Sequence, residues 1–514
     1  MSIARACALV ASAVAVAVAT IPLASQPRLS GRARTGDGGA AVFLGLPESA
    51  PLAWPAAAGA PVDVPSRWVT DPVTGAQYRR DRLLVRFHES ASAGVRSTAL
   101  AVAGTARRSD ALWDGWEHVA VGAGTTVDAA RASLAGDAAV REVGFDYRVE
   151  KFATRPNDEF FERQWNFDAL DLPRAWDIND GASDQIVVAV LDTGLNVEGG
   201  TYTYGIDGLG VVAMRFTEAA DLVRPGRIVA PRDYVWDDSL PLDLDGHGTH
   251  VAGTIAQLTG NGTGVAGIAH KVRVMPIKVL SSTIDDLADP FNAGGLTSTV
   301  AAGIRYAADQ GAHVINLSLG SRGPAPLERD AIRYAVSRGA FVTIAAGNDG
   351  DTDNPVEYPA AYAADIDGAM TVGAIGRDLK RASYSGFKPY VEICAPGGDD
   401  TDDEDDVANG VAQVTYRSED TGSFLTLGQM YQVLGRGFRP RFDTFAVTAY
   451  QGTSMAAPHV AGVAALLYSQ GLRNPAAVEK AIERFARTID AGADECGAGL
   501  VDPRATLRAM GMIQ

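Results

Sequence analysis

One stretch of the sequence reads Gly452-Thr-Ser-Met-Ala-Ala-Pro-His-Val-Ala-Gly-Val-Ala-Ala-Leu-Leu467. Small and apolar residues recur through it at the spacing of a helix, and a flexible turn carries Ser454 just ahead of them. The sequence therefore predicts a buried helix with Ser454 at its amino end. Free N–H groups and the helix dipole at that end favour developing negative charge, which suits a nucleophile whose reaction passes through an oxyanion. Because serine is also an ordinary cap residue, this stretch alone does not establish a catalytic site.

Two further stretches carry the partners that such a nucleophile needs. In Ile186-Val-Val-Ala-Val-Leu-Asp192-Thr-Gly194, an apolar run leads into a carboxylate and a turn. This pattern is typical of a buried parallel strand that presents Asp192 at its carboxyl end, where α/β sheets place their sites. In Asp245-Gly-His247-Gly-Thr-His250, a glycine-flanked His247 opens an apolar helix. Together, Ser, His and Asp perform acyl transfer: Ser attacks, His carries the proton, and Asp orients the imidazole and stabilises its cation.

Around these residues the chain resembles the subtilisin-like serine proteases, or subtilases. The motifs of the family are Asp-Thr-Gly at Asp192, His-Gly-Thr-His at His247 and Gly-Thr-Ser-Met-Ala-Ala-Pro-His at Ser454, in the family's order. A fourth match, Ala345-Ala-Gly-Asn348, falls where the family carries the Asn that donates to the oxyanion. The resemblance covers roughly residues 155–510 and implies a secreted serine endopeptidase that is made as a self-processing proenzyme.

The same resemblance implies which residues contact the substrate. Asn316-Leu-Ser318-Leu-Gly320 matches the strand that lines the substrate cleft. Ser318, Leu319 and Gly320 are therefore expected to pair with the substrate backbone as an added strand, with Gly295 on the facing edge. Such pairing requires an extended segment as substrate.

A further segment, Val356-Glu357-Tyr-Pro-Ala360, resembles the base of the family's first substrate pocket. A carboxylate at Glu357 is expected to attract Lys or Arg, since a charge pair at about 4 Å is worth roughly 1–4 kcal/mol. The alternative is that Glu357 turns outward to solvent. Lys151 and Arg155 lie at the expected junction between propeptide and enzyme, so we predict maturation after one of these two residues.

Ahead of the catalytic region, three segments differ in composition. Residues 1–26 contain one early charge, Arg5, followed by an Ala/Val-rich apolar run, which is typical of a secretory signal peptide. A membrane anchor is the alternative, but the weak hydrophobicity of the run favours the signal. Residues 27–66 are rich in Pro, Gly and Ala and indicate a linker.

Residues 67–150 alternate short strand and helix patterns and predict a small α+β domain. The predicted elements are strands at 82–87, 116–121 and 140–149 and helices at 93–103 and 127–134. Between a signal and a catalytic region, this order resembles the subtilase propeptide, which acts as intramolecular chaperone and inhibitor. An unrelated accessory domain is the alternative.

Residues 151–514 form the predicted catalytic domain. Strands alternate with helices, which predicts a doubly wound α/β fold with a mainly parallel sheet and helices on both faces. Three loops, at 196–240, 281–294 and 398–447, are longer than in a minimal subtilase. We expect them near the rim of the cleft, because loops carry specificity in such folds.

Composition narrows the partners of the protein. The 514 residues carry a formal charge of −17 and 46% are hydrophobic, with a pI of about 4.9. Such acidity argues against a nucleic-acid partner, and the apolar content suffices for a large core. We expect protein or peptide substrates, the chain's own propeptide as inhibitor, a monomer, and no membrane contact after signal removal.

Calcium is the cofactor that the resemblance implies, and no organic cofactor is expected. Asp158 and Asn261 fall where subtilases hold a strong calcium site, and both supply the oxygen ligands that calcium prefers. The Asp that usually follows the catalytic Asp closely is missing, since Val197 to Thr201 offers only Glu198. The acidic run 399–406 is either a second ion site or a solvated charge run.

Other functions remain as alternatives. A transpeptidase or peptide cyclase would use the same triad but shield the acyl-enzyme from water, and a non-catalytic binding protein could share the fold. An esterase or lipase would need a Gly-x-Ser-x-Gly elbow, and a zinc protease of the His-Glu-x-x-His type would need that motif; neither occurs. His250 and His459 are expected to be structural. A secreted context permits a disulfide between Cys394 and Cys496, although the sequence does not establish their distance.

Overall fold

The computed structural model describes residues 33–34, 68–70, 76–111, 113–148, 155–289, 295–399 and 409–511. They form two compact units, one within 68–148 and the other comprising 155–511 and the short strand β1 (Ala33–Arg34). The predicted signal lies outside the described residues, as does the predicted linker apart from β1. Within the described part of the chain, no helix has both the length and the apolar character that a membrane crossing needs.

The small unit is an antiparallel sheet with two packed helices. Its elements are β2 (Trp68–Thr70), β3 (Gln77–Phe87), α1 (Ala93–Val102), β4 (Thr105–Ala111), β5 (Trp116–Val121), α2 (Val127–Ala135) and β6 (Val140–Tyr147). The strand order is β4-β5-β3-β6, and β2 pairs with the start of β3. Both helices begin at a side-chain cap, supplied by Ser92 and Thr126. The predicted α+β elements are all present, and β2 and β4 are additional.

The large unit contains the remaining strands and helices. Its strands are β7 (Val187–Asp192), β8 (Gly200–Ile206), β9 (Gly210–Phe216), β10 (Arg232–Asp233), β11 (Arg273–Lys278), β12 (Val314–Leu317), β13 (Phe341–Ala345), β14 (Ala369–Ile375), β15 (Ile393–Pro396), β16 (Val411–Thr415) and β17 (Ala446–Tyr450). Its helices are α3 (Trp165–Ala169), α4 (Leu172–Trp176), α5 (His247–Ala256), α6 (Thr283–Ala288), α7 (Thr297–Asp309), α8 (Pro326–Ser337), α9 (Ser418–Thr421), α10 (Leu427–Gly435), α11 (Thr453–Ser469), α12 (Pro475–Arg484), α13 (Ala493–Cys496) and α14 (Pro503–Gly511).

A seven-stranded parallel sheet forms the centre of this unit. The strand order is β10-β11-β7-β12-β13-β14-β15, and every neighbouring pair is parallel. Strand β7 is buried along its whole length, as its apolar sequence predicts for a strand covered on both faces. Carboxyl ends of parallel strands share one edge of the sheet, so β7, β12 and β13 deliver Asp192, Ser318 and Asn348 to the same side.

Helices cover both faces of the sheet, which confirms the predicted doubly wound fold. On one face, α5 and α11 pack against β7, β14 and β15 in the largest apolar cluster. On the other face, α7 and α8 pack against β11, β12 and β13. Helix α11 is buried from Met455 to Tyr468, because small residues allow the close packing seen at Gly462 against Ile268.

The three long loops pack against one another in a third apolar cluster. Strands β8 and β9 come from the first loop, α6 from the second and α10 from the third. The third loop also contains β16 and β17, which pair antiparallel on either side of its α-helical part. The sequence did not predict this association, because the apolar side chains of this cluster come from segments that are far apart in the chain. Within the sheet region, Cys394 and Cys496 form a disulfide with a Cα–Cα distance of 4.9 Å.

Candidate active site

Asp192 and His247 form a hydrogen-bonded pair at the carboxyl edge of the sheet. His247 Nδ1 donates to Asp192 Oδ1 at 2.7 Å, and the Thr193 N–H donates to the same oxygen at 2.8 Å. The carboxylate is fully buried, whereas a quarter of the imidazole is exposed. This arrangement fixes the ring and leaves Nε2 without a hydrogen-bond partner among the described residues.

Backbone packing and a buried carboxylate bring these two residues together. Gly248 lies against the turn after β7, where a Cβ would come within 2.4 Å of the Gly194 carbonyl oxygen. The Gly248 N–H donates to Thr193 Oγ1, and that hydroxyl donates to Asp243 at 3.0 Å. Asp243 also accepts from Gly246 N, Thr249 N and Thr249 Oγ1, and so caps the first turn of α5.

Ser454 lies in the first turn of α11, where the N–H groups have no intrahelical acceptor. Its hydroxyl donates to the Ser318 carbonyl oxygen at 3.4 Å, and no hydrogen bond joins it to His247 among the described residues. The strand that precedes Ser454 nevertheless contacts helix α5, which begins at His247. In this contact the Tyr450 ring stacks on the His250 ring, with ring centroids 4.5 Å apart. The structure therefore brings Asp192 and His247 into contact and sets Ser454 on the neighbouring helix.

The Asn348 amide is held in one orientation at the start of α11. Its Oδ1 accepts from the Thr453 N–H and the Thr453 hydroxyl, both at 2.9 Å. Its Nδ2 makes no hydrogen bond among the described residues and remains able to donate. Asn348 and Ser454 line the same pocket, so a side-chain N–H and the amino end of a helix face one volume.

Ser318 contributes to the site through a buried chain of hydrogen bonds. Thr343 Oγ1 donates to Asn316 Oδ1, Asn316 Nδ2 donates to Ser318 Oγ, and Ser318 Oγ donates to the Ser454 carbonyl oxygen at 2.7 Å. The side chain of Ser318 thus supports the loop that carries Ser454. Leu319 and Gly320 line the pocket beyond it.

The pocket beside Ser454 has a volume of about 300 Å³ and contains Glu357. Glu357 is 7% exposed, and its backbone N–H donates to the Tyr390 hydroxyl. Burial, together with the charge of Asp349, raises the pKa of its carboxyl above the ordinary value. Because this side chain lines the pocket, the alternative of an outward, solvated Glu357 is wrong. Gly295, after the second loop, donates its N–H to the Val279 carbonyl oxygen outside this pocket lining.

Several carboxylates set the charge state of His247. Burial disfavours the imidazolium, but Asp192, Asp245 and Asp243 outweigh it and raise the pKa of His247 to about 9. Burial and the charge of Asp243 raise the pKa of Asp245 itself to about 6. The neighbouring carboxylates therefore stabilise the imidazolium form of His247 relative to the neutral ring.

A buried ammonium supports the turn after Asp192. Lys278 Nζ donates to the Thr193 carbonyl oxygen at 2.7 Å and pairs with Asp285 at 2.9 Å, and neither side chain of the pair is exposed. Trp236 Nε1 donates to the same Asp285 carboxylate. Burial opposes the charge of Lys278, but Asp285 and Asp233 raise its pKa above the ordinary value. Sequence reasoning missed this pair, because Asp285 and Trp236 lie in two of the inserted loops.

The predicted metal ligands lie close together, and a third one joins them. Asp158 Oδ2 accepts from the Gly260 N–H, next to Asn261, while its buried Oδ1 has no partner. Asn261 Nδ2 donates to Asp221, whose pKa is raised by burial and also by the charge of Asp158. Two close carboxylates, one with an unpaired buried oxygen, form a donor set that fits a calcium ion.

Asp221 lies outside the Val197 to Thr201 segment that was expected to supply a carboxylate. Within that segment, Glu198 accepts a hydrogen bond from Tyr202 on β8. Asp221 comes from the middle of the 196–240 insertion, where its backbone carbonyl and carboxylate accept hydrogen bonds from the segment that follows α5. The acidic run 399–406 lies outside the described residues apart from Asp399.

The remaining motif histidines are structural, as predicted. His250 Nε2 lies 2.9 Å from the Val411 carbonyl oxygen, and burial lowers its pKa to about 3. His459 contacts the Met455 carbonyl oxygen and Asn166 Nδ2, each at 2.8 Å, and burial lowers its pKa to about 4. Both imidazoles are neutral and tie helices to neighbouring segments.

Known proteins are similar to this chain in sequence and in fold. The Subtilase family profile matches residues 183–499. Thermitase from Thermoactinomyces vulgaris is 34% identical over 336 residues, which cover 65% of this chain and 92% of thermitase. A thermophilic serine proteinase from a Bacillus species is 31% identical over 415 residues, which cover 80% of this chain and 83% of that protein. A solved protease structure from Pseudoalteromonas arctica, 31% identical, matches with a TM-score of 0.53 over 70% of this chain and 100% of its own.

Proposed function

Because the chain belongs to the subtilase family and is a subtilisin-like serine endopeptidase, we propose that Ser454, His247 and Asp192 are its catalytic triad. We further propose that it is secreted as a self-processing proenzyme. The observation that carries the proposal is the Asp192–His247 hydrogen bond beside a pocket that Ser454 and Asn348 share.

In the proposed mechanism, Ser454 Oγ attacks the scissile carbonyl carbon and its proton passes to His247 Nε2. Asp192 stabilises the resulting imidazolium through the Nδ1 hydrogen bond. Asn348 Nδ2 and the Ser454 N–H donate to the oxyanion, and Thr453 keeps the amide turned for that purpose. His247 then protonates the leaving amine, and water hydrolyses the acyl-enzyme by the reverse sequence.

The substrate is proposed to be an extended protein segment with Lys or Arg before the scissile bond. Leu319, Gly320 and Gly295 would pair with its backbone, and Ser318 would do so through its backbone because its side chain is engaged elsewhere. Glu357 supports the basic preference, because no hydrogen bond or ion pair occupies its carboxylate among the described residues. The Glu357→Gln variant should lower cleavage after Lys more than cleavage after Leu.

Ser454→Ala is the decisive test of the triad. The variant should remain folded, lose reaction with a fluorophosphonate probe, and accumulate as the uncleaved precursor in a protease-free expression system. Ser337→Ala, on the exposed end of α8, is the matched control and should react and mature normally. Normal processing of Ser454→Ala would contradict the assignment. The same products, analysed by mass spectrometry, would reveal ligated peptides if the enzyme were a transpeptidase.

Asn348 has a graded test. Asn348→Ala should lower kcat by about 10²–10³, as expected for loss of one oxyanion donor. Asn348→Asp keeps an acceptor for the Thr453 N–H and hydroxyl but offers no N–H, so it should lose as much activity. Retained activity in the Asp variant would show that the amide acts only by holding Thr453.

Self-processing is proposed at the junction between the two units. Lys151 and Arg155 are the candidate positions, and Arg155 pairs with Asp168 at 2.7 Å and lies over the Phe161 ring. Arg155 is already engaged within the large unit, and this engagement favours cleavage after Lys151 over cleavage after Arg155. Sequencing the amino terminus of the secreted enzyme tests this, and a terminus after an apolar residue would contradict it.

Calcium is proposed as a structural ion held by Asp158, Asp221 and Asn261. The ion would supply the positive charge that the two carboxylates lack, and it takes no part in the reaction. Chelation should lower the melting temperature of the purified Ser454→Ala protein. Asp221→Asn should remove most of this calcium dependence, whereas Glu198→Gln, outside the site, should retain it.

A further inference from the structure

Two side chains of opposite charge line the pocket beside Ser454 without pairing. Glu357 and Arg322 both belong to its lining, together with Asp349. No ion pair joins Arg322 to Glu357 among the described residues. A buried carboxylate and a guanidinium in one pocket ordinarily attract each other, so their separation needs a cause.

Backbone register puts Arg322 within reach of Glu357. Ser321 and Tyr358 form an antiparallel bridge, with N–H to O distances of 2.7 and 2.8 Å in the two directions. In this register the residue after Ser321 lies opposite the residue before Tyr358, so Arg322 faces Glu357. Cross-strand neighbours are close enough for long side chains to interact directly.

The guanidinium of Arg322 instead contacts two carboxylates on the adjoining loop. Its Nη2 lies 2.8 Å from Asp349 Oδ2 and 3.3 Å from Asp353 Oδ1. All three side chains are largely exposed, and exposed pairs of this kind are individually weak. Two acceptors acting together are therefore what keeps the guanidinium on the loop.

We propose that Asp349 and Asp353 are specificity-determining residues that hold Arg322 away from Glu357, so that the Glu357 carboxylate stays available for a basic substrate side chain. This inference rests on the proposed function, in which Glu357 forms the base of the first substrate pocket. If Arg322 were released, it would compete with the substrate cation as a tethered ligand of high effective concentration. The preference for basic residues thus depends on which carboxylates the guanidinium contacts.

The test compares two peptides that differ only in Lys or Leu before the scissile bond. The ratio of their kcat/KM values is measured for wild type, Arg322→Gln, the double variant Asp349→Asn/Asp353→Asn, and the triple variant that combines all three changes. Cleavage of the Leu peptide is the internal reference, because Asp349 follows Asn348. We expect the double variant to lower the Lys-to-Leu ratio by about tenfold. The triple variant should recover the wild-type ratio, and Arg322→Gln alone should leave it unchanged.

A general electrostatic effect of all the charges in the pocket predicts a different order of the Lys-to-Leu ratios among the variants. It would give Arg322→Gln a ratio above wild type and leave the triple variant below wild type, and either result overturns the proposal. An unchanged ratio in the double variant overturns it as well. If wild type shows no preference for Lys and Glu357→Gln leaves the Lys-to-Leu ratio unchanged, both this proposal and the proposed role of Glu357 are wrong. The fluorophosphonate test of Ser454 does not depend on that result.

Discussion

The two ends of the central sheet each contain a group of three buried or half-buried carboxyl groups, and the two groups behave in opposite ways. At the carboxyl edge, Asp192, Asp243 and Asp285 are fully buried and contact Lys278, His247, or hydroxyl and N–H donors. At the amino edge, the carboxylate oxygens of Glu392, Glu479 and Glu483 lie within 4.8 Å of one another. Among the described residues, no Lys or Arg forms an ion pair with these three glutamates, and the neighbouring cation is Lys480.

The pKa directions express this difference. Burial and the charges of Glu479 and Glu483 raise the pKa of Glu392 to about 8, and burial and Glu483 raise that of Glu479 to about 7. At the other end, burial also disfavours ionisation of Asp285, but Lys278 lowers its pKa below the ordinary value. The pKa of a carboxyl group at these two edges is therefore lowered or raised according to whether a cation is buried with it.

The largest effect is expected when the cation is removed from the carboxyl edge. In the Ser454→Ala background, which prevents self-digestion, Lys278→Met leaves Asp285 as an uncompensated buried charge. The free energy of unfolding should fall by about 3–5 kcal/mol. Urea unfolding at neutral pH measures this decrease in the free energy of unfolding. Lys278→Met/Asp285→Leu replaces the pair by apolar groups and should restore most of the loss; equal loss in both variants would locate the effect in the Thr193 contact.

A smaller effect is expected when the amino edge loses one carboxyl group. The pKa values of Glu479 and Glu392 are raised on folding, so the protonated carboxyl groups stabilise the folded state. This stabilisation is complete below pH 4.5, the pKa in the unfolded chain, and is lost as pH rises through about 7 to 8. Wild type should therefore lose stability over that range. Glu479→Gln keeps an acceptor for the Gly368 N–H and should be more stable than wild type above this range by about 1 kcal/mol, allowing for solvent screening.

The groups that face Glu479 include Asp367 and Lys480 as well as the other two glutamates. Lys480→Gln is therefore a useful control, because it removes a neighbouring cation and should make the alkaline loss steeper. Thermal unfolding across the pH series, in the Ser454→Ala background, compares the variants. A difference in melting temperature between Glu479→Gln and wild type that does not change with pH would contradict a raised pKa for Glu479.

The smallest effect concerns Asp245, whose carboxylate accepts the His247 backbone N–H at 3.1 Å and acts on the imidazole of the proposed triad through its charge. The proposed mechanism needs neutral His247, and the pKa of this residue is raised to about 9, so kcat/KM should rise with pH up to that value. Asp245→Asn removes one of the charges responsible and should shift the rise to lower pH by roughly half a unit. Pre-steady-state or steady-state pH profiles measure this shift. A profile that changes in height but not in midpoint would assign Asp245 a purely structural role.

Much of the site was predictable because its residues sit in local motifs. An apolar run that ends in Asp192 specifies a buried strand, and glycine-flanked His247 and Ser454 specify helix starts. Parallel strands then bring their carboxyl ends together, so the order of the elements nearly fixes the arrangement. The alternation of strands and helices predicted the two-faced sheet for the same reason.

Other parts of the site required long-range contacts that no local pattern reveals. Asp221 lies 29 residues after Asp192, inside an insertion. Its carboxylate nevertheless accepts a hydrogen bond from Asn261 and is close enough to Asp158 to feel its charge. Asp285 and Trp236 come from two different loops to surround Lys278. No sequence pattern predicts that the three loops pack against one another. Apolar packing is non-directional, so any exposed apolar face could have covered the apolar side chains of these loops.

The sequence by itself determined the family, the parallel fold and the identity of the proposed triad, since each follows from residues close together in the chain. Only the tertiary structure decided which charges are compensated. Lys278 pairs with Asp285, and Arg322 pairs with Asp349 and Asp353 instead of Glu357. The three amino-edge glutamates, whose carboxylate oxygens lie within 4.8 Å of one another, form no ion pair with a Lys or Arg in the part of the chain that the structure describes. The physical reason is that the energy of a charge depends on its distance from others and on its burial, and both are set by how distant segments pack.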